Sequence, residues 1–145
     1  MNEKRFYEDF EKYYDDIPDC VSNGVQSYKD VIESIFALTN GILNLNKFEA
    51  NDDNRKYKLN LTINNKEYIF EFNGSDYFEE NLLSEFNKII AIENPSEKRR
   101  LIQFGDGMYF DFAIAFFEKD LEYQLAKEGK IWKREDWIFN YENNK

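Results

Sequence analysis

Residues 57–63 alternate apolar with polar side chains, and after Asn64-Asn65 the aromatic residues Tyr68, Phe70 and Phe72 alternate with Glu67, Ile69 and Glu71. An alternation with a period of two is typical of a β-strand that buries one face. Asparagine tolerates a positive φ better than most residues, so this pair suits a two-residue hairpin turn. The pattern therefore predicts an antiparallel hairpin over residues 57–72. A shorter segment, Leu45–Glu49, is predicted to add a strand before it.

Upstream of the hairpin, two segments have the apolar spacing of amphipathic helices. The apolar residues of the first are Phe6, Phe10, Tyr13 and Ile17. This helix is expected to end before Pro18, because the residue before a proline disfavours the helical backbone conformation. Ser27 with Asp30 resembles a capping box that opens the second helix, and Asn40-Gly41 offers its C-terminal stop.

Downstream of the hairpin, the sequence predicts a third helix and a second hairpin. Asp76 and Glu79 indicate the start of the helix, and Asn94-Pro95 indicates its end. The second hairpin is expected to turn at residues 105–107. In its second strand, Ala113 and Ala115 share one face and are small enough for a helix to pack closely there.

The last part of the chain is predicted to form one more helix and one more strand. Gly129 is suited to be the C′ residue of the helix. The alternation of Trp137, Phe139 and Tyr141 predicts the strand. Residues 1–145 are therefore expected to form a single α+β domain. Its order would be two N-terminal helices, then hairpin–helix–hairpin–helix with an antiparallel sheet, and a C-terminal strand.

The sequence contains no histidine and a single cysteine, Cys20. These counts exclude the commonest general base, nucleophiles that are activated by histidine, most zinc sites and an intramolecular disulfide. The N-terminus lacks the apolar core of a signal peptide, and the longest apolar run, 112–117, is too short to span a bilayer. We therefore expect a cytoplasmic protein that does not enter a membrane.

Carboxylates are the only catalytic groups present in quantity. Four adjacent acidic pairs could supply the acid and base of a glycosidase-like enzyme: Asp15-Asp16, Asp52-Asp53, Glu79-Glu80 and Glu135-Asp136. Adjacent acids on helix faces and in loops are usually solvated surface, and the segment with Asp106 and Asp111 lacks the ligand ladder of a calcium loop. We therefore expect a protein that is not an enzyme and that has neither metal nor cofactor.

The charge of the chain is −10, and most of the excess lies in its N-terminal third. Residues 1–53 contain 12 acidic and 5 basic side chains, a net charge of −7. Such a charge opposes binding to a phosphate backbone and attracts a basic protein, although acidic excess also serves solubility. The basic cluster at residues 98–100 is interpreted as the polar entry to a strand. The candidate partner-binding residues are Glu8, Asp9, Tyr14, Asp15, Asp16 and Asp19, followed by Asp52 and Asp53.

Three segments, YKLNLTINNKEYIFEF (57–72), LLSEFNKII (82–90) and DFAIAFFEKDLEYQLAKEG (111–129), give the chain a hairpin–helix–hairpin–helix rhythm. In this rhythm and in its acidity the chain resembles the immunity proteins that bacteria use against polymorphic toxins. The resemblance implies a small cytoplasmic α+β domain that neutralises a cognate toxin, here a basic toxin domain, by binding and occluding it. The alternative is an acidic regulatory or phage-type inhibitor subunit that binds a basic or nucleic-acid-handling protein.

Overall fold

The chain forms two antiparallel sheets and four α-helices within the residues that the structure, a computed structural model, describes: 14–17, 24–75, 78–79, 81–105, 112–131, 133 and 135–143. In chain order the elements are β1 (Tyr14–Ile17), α1 (Tyr28–Ala37), β2 (Leu45–Asp53), β3 (Lys56–Ile63), β4 (Lys66–Asn73), α2 (Asn81–Glu93), β5 (Arg99–Gly105), β6 (Phe112–Glu118), α3 (Lys119–Lys127) and α4 (Glu135–Asn143). The expected α+β class is confirmed.

The first sheet has the strand order β2–β3–β4 and contains the predicted hairpin. Asn64 and Asn65 have φ angles of 51° and 68°, so both turn residues adopt the left-handed conformation. The strand predicted at Leu45–Glu49 is confirmed, and it continues to Asp53. A second two-residue turn, Asn54-Arg55, joins it to β3.

Two helices pack on the inner face of this sheet. α1 follows a single 3-10 turn, Val25–Ser27, and its end before Asn40-Gly41 is as predicted. The capping box at Ser27 is wrong: Ser27 already has helical backbone angles and makes no side-chain cap bond, because the 3-10 turn precedes it. α2 ends before Asn94-Pro95, as predicted.

The second sheet has the order β1–β6–β5, and it corrects one prediction. Residues 14–17 were expected to end the first helix, but they form a strand that pairs with β6 at Tyr14–Ile114 and Ile17–Phe112. The physical reason is that β6 has an edge that needs a partner, while Ile17 is biased towards an extended backbone by Pro18. The rest of the predicted first helix, and the turn at 106–107, lie outside the described residues.

The C-terminal strand is also wrong, because residues 135–143 form the helix α4. Trp137, Ile138 and Tyr141 have the i, i+1, i+4 spacing of a helix face, while Phe139 points to solvent with 64% of its surface exposed. The end of α3 is as predicted: Gly129 has a φ of 73° and its N–H donates to the Ala126 carbonyl at 3.1 Å.

The β5–β6 hairpin separates two apolar clusters. On one side Leu101 and Ile114 join the core that α1 and α2 form with the first sheet. On the other side Ala113 and Ala115 pack with residues of α3, as the sequence predicted, and with Ile131. No helix in the described part of the chain is long and apolar enough to cross a membrane. Among the described strands, β4 is an edge strand of the first sheet, and it lies beside α2.

Candidate functional site

A groove of about 410 Å³ lies between the free edge of β4 and the start of α2. One wall consists of residues 68–72 of β4, and the other is formed by Glu79, Asn81, Leu82 and Glu85. The groove exists because β4 is an edge strand: it pairs with β3 on one side, and no other described strand pairs with it. We call this feature the β4–α2 groove.

The aromatic rings of β4 give the groove an apolar wall. Tyr68, Phe70 and Phe72 are half-buried and pack against the core. Phe70 meets Phe86 of α2 edge-on at 5.9 Å between ring centroids, and Phe72 lies 5.4 Å from Tyr28. Rings that are held by several core contacts lose little further freedom when a partner covers them, so this wall is suited to binding.

Three acidic residues, Glu71, Glu79 and Glu85, line the groove, and the described lining contains no Lys or Arg. The Glu71 side chain belongs to the exposed face of β4, at the edge of the groove. Glu79 also organises the approach to α2, since its Oε1 accepts a hydrogen bond from the Asn81 N–H at 3.3 Å. Glu85 is held by Lys88, whose Nζ lies 3.1 Å from its Oε1. The groove therefore has a negative potential and would attract a cationic segment.

A second depression, of about 570 Å³, lies between α2, β5 and α3. Its basic side chains are Lys88, Arg100, Lys119 and Lys133. Much of their charge is satisfied within the protein: the Lys133 Nζ lies 2.7 Å from Glu122, and Arg100 donates hydrogen bonds to two backbone carbonyls. The basic side chains of this cleft thus contribute to internal ion pairs and hydrogen bonds. The described charged residues that line the β4–α2 groove, in contrast, are all acidic.

Five of the eight predicted partner-binding residues lie among the described residues, and they lie on two different strands. Tyr14, Asp15 and Asp16 lie on β1, while Asp52 and Asp53 lie at the end of β2. One carboxylate oxygen of Asp52 accepts a hydrogen bond from the Arg55 N–H at 2.7 Å and so stabilises the turn. Asp53 pairs in register with Lys56. Glu8, Asp9 and Asp19 lie outside the described residues.

The clear pKa shifts arise from hydrogen-bonded pairs of side chains. A hydrogen bond from Arg99, at 2.5 Å, lowers the pKa of Glu97. The hydrogen bond to Asp120 raises the pKa of Tyr141 to about 12, and the bond to Glu142 raises that of Tyr123. Tyr123 and Tyr141 also stack, with 4.7 Å between their centroids. These contacts join α3 to α4, so their role is structural.

The described residues include no group of three or more histidine, cysteine, aspartate or glutamate side chains that could hold a metal ion. No protein-family model matches the chain, and neither a curated protein nor a solved structure shows significant similarity to it. The β4–α2 groove is therefore the feature of the described residues that best indicates a binding function.

Sequence reasoning overlooked this groove. The alternation of Tyr68, Phe70 and Phe72 with Glu67, Ile69 and Glu71 predicts the two faces of β4 and places the three rings on the buried face. They are only half-buried, because α2 begins beside the edge of the sheet rather than covering it. The sequence feature that could have indicated the groove is the set of acidic residues Glu71, Glu79 and Glu85, which flank the apolar residues of β4 and α2.

Proposed function

We propose that this chain is a non-enzymatic binding protein, and specifically an immunity protein that neutralises a cognate bacterial toxin by binding and occluding it. The observation that carries the proposal is the β4–α2 groove, with its fixed aromatic wall and three carboxylates. Complementary charge accelerates encounter with a basic partner, and buried aromatic rings supply contact area at the centre of an interface.

The distribution of charge along the chain supports the same partner. The net charge of −7 in residues 1–53 would add a long-range attraction to the local one of the groove. Occlusion then requires no chemistry by this chain: acidic side chains pair with basic groups of the toxin and exclude its substrate. We propose that this takes place in the cytoplasm.

The decisive experiment is affinity capture from the native host, with the products of neighbouring genes included as candidates. Each captured protein is expressed alone and together with this chain, and bacterial growth is measured. An immunity protein restores growth by forming a stoichiometric complex with a toxic partner. Capture of a non-toxic protein that handles nucleic acid would instead favour the acidic-inhibitor alternative and would refute the immunity role.

Charge reversal identifies the binding face. Glu71→Lys in the groove should slow association several-fold and reduce its salt dependence, while Glu33→Lys is the matched control on α1. The double variant Asp15→Lys and Asp16→Lys tests the N-terminal acidic segment. If only this double variant slows association, partner binding uses the N-terminal segment and the groove is not the site.

A further inference from the structure

Resting on the proposed function, we infer that β4 binds an extended segment of the partner as a fourth strand of the first sheet. The segment would place basic, β-branched and basic side chains opposite Glu67, Ile69 and Glu71, and apolar side chains in the β4–α2 groove. Strand addition of this kind takes its affinity from backbone hydrogen bonds and its specificity from alternate side chains.

The backbone of β4 offers the required hydrogen-bonding groups. Around a two-residue turn the flanking residues, here Ile63 and Lys66, form a hydrogen-bonded pair, so residues 66, 68, 70 and 72 direct their groups towards β3. The same ladder continues to Gly74, whose N–H donates to the Arg55 carbonyl at 2.6 Å. Glu67, Ile69 and Glu71 therefore direct their N–H and C=O groups away from β3, along the free edge.

The other two edges with described side chains are already occupied in part. On β5, the side-chain amide of Asn87 bonds both backbone groups of Leu101, at 3.0 Å and 2.8 Å. On β2, the Gln26 amide donates to the Ala50 carbonyl at 3.3 Å. No comparable side-chain bond to the edge of β4 occurs among the described residues, which makes β4 the edge that is ready to receive a strand.

The outer side chains of β4 select the charge of the added strand. On the β3 side, Glu71 pairs in register with Lys58, and Glu67 pairs with Thr62. A basic side chain on the added strand would lie opposite each glutamate and form a favourable cross-strand pair with it. Ile69, 57% exposed, lies between the two glutamates and would meet a β-branched residue, whose methyl group can pack on it. A second copy of β4, aligned antiparallel at Ile69, would place Glu67 opposite Glu71, and this repulsion disfavours self-pairing.

The inner side of the added strand would face the groove. Its alternate residues would cover the rings of Tyr68, Phe70 and Phe72 from the open side. Glu79, just before α2, and Glu85, in α2, line the same groove, and a basic residue at the end of the segment would find these acidic residues on the opposite wall. The occupant that fits is therefore a basic, β-prone segment, with a composition such as Lys-Val-Thr-Val-Lys.

A blocked peptide, acetyl-Lys-Val-Thr-Val-Lys-amide, tests the inference without knowledge of the toxin. Titration into the full-length, isotope-labelled protein should shift the backbone amides of Glu67, Ile69 and Glu71 and slow their hydrogen exchange. The peptide acetyl-Glu-Val-Thr-Val-Glu-amide should bind about tenfold more weakly, because two cross-strand pairs change sign. Unchanged amides at these three residues, or equal binding of both peptides, would overturn the inference.

Variants of Ile69 isolate the backbone contribution. Ile69→Pro removes an N–H that points outward, so the β3–β4 ladder keeps its bonds, while peptide affinity should fall about tenfold. Ile69→Thr keeps the N–H and should change affinity far less. Ala50→Pro makes the corresponding change on the edge of β2 and should leave binding intact. Equal losses for Ile69→Pro and Ile69→Thr would refute strand addition.

The two proposals fail in different ways. If the captured toxin binds but Ile69→Pro binds it as tightly as the natural chain, strand addition is refuted and the immunity role stands. If the peptide adds to β4 as described but no captured protein is toxic, the inference about the edge stands and the immunity role is refuted.

Discussion

Replacing Gly74 with alanine should destabilise the protein through a single steric conflict. Gly74 follows β4, and a Cβ built on it would lie 2.5 Å from Cε1 and 2.8 Å from Cδ1 of Tyr57. The Tyr57 ring is buried and meets Phe72 and Tyr28 edge-on, with centroids 5.9 Å and 6.2 Å away. The ring therefore cannot move without disturbing the aromatic cluster behind the groove.

Two opposing effects set the size of the change. Overpacking a core contact typically destabilises by about 1–3 kcal/mol. Where alanine fits, the lower chain entropy of its unfolded state stabilises by about 0.4–1 kcal/mol. Because the steric effect is the larger here, we expect a net loss of about 1–2 kcal/mol, which corresponds to a fall in Tm of roughly 2–8 °C for a chain of this size.

The assay is urea denaturation of a double-mutant cycle. Gly74→Ala is compared in the natural chain and in a Tyr57→Leu background, where the ring is absent. The penalty should largely disappear in that background, giving a coupling energy of about 1–2 kcal/mol. A Gly74→Ala protein as stable as the natural one, or a penalty that persists in the Tyr57→Leu background, would refute the steric argument.

Three further predictions concern the hydrogen bonds of turns and helices. Asn64→Gly should lower the free energy of unfolding by about 1–3 kcal/mol, because the Asn64 amide bonds Asn44 and the Ile42 carbonyl, whereas Asn65→Gly should be nearly neutral in the same denaturation assay. The hydrogen bond to Asp120 favours the neutral Tyr141 phenol in the folded state. Its contribution to stability is therefore complete below pH 10 and is lost as the pH rises through about 12. Asp120→Asn should lower the pKa of Tyr141, measured by ultraviolet titration. Lys133→Met leaves the Glu122 carboxylate, 7% exposed, without its partner and should destabilise by about 3 kcal/mol, while the double variant Glu122→Leu with Lys133→Met should recover most of the loss.

The elements that sequence reasoning found are those whose signals are local. The Asn64-Asn65 hairpin and α2 each contain their own periodicity and their own stop signals, and both are confirmed. β1 has only four residues, too few to show an alternation, and its partner β6 lies about a hundred positions away in the sequence. The apolar residues of 135–143 fit both the period of two of a strand and the period of 3.6 of a helix. The helix is favoured because it packs Trp137 and Ile138 on α3 and the second sheet.

The candidate site depended on a different kind of information. Glu71 and Glu85 are brought to one groove because α2 begins beside the edge of β4, a tertiary fact that no local pattern contains. The same holds for Glu122, which stands in the apolar pattern of α3 as a polar residue and is nevertheless buried beside Lys133. Sequence patterns therefore located the secondary structure better than the surfaces that it creates.

The alternation of β4 has a consequence for how partner choice can evolve. Its inner rings pack against the core, so a change there endangers folding. The outer side chains of Glu67, Ile69 and Glu71 are exposed, and the backbone groups beside them do not depend on which side chains they carry. If β4 binds a partner as proposed, a lineage can exchange these three residues one at a time and so change the partner while the protein continues to fold.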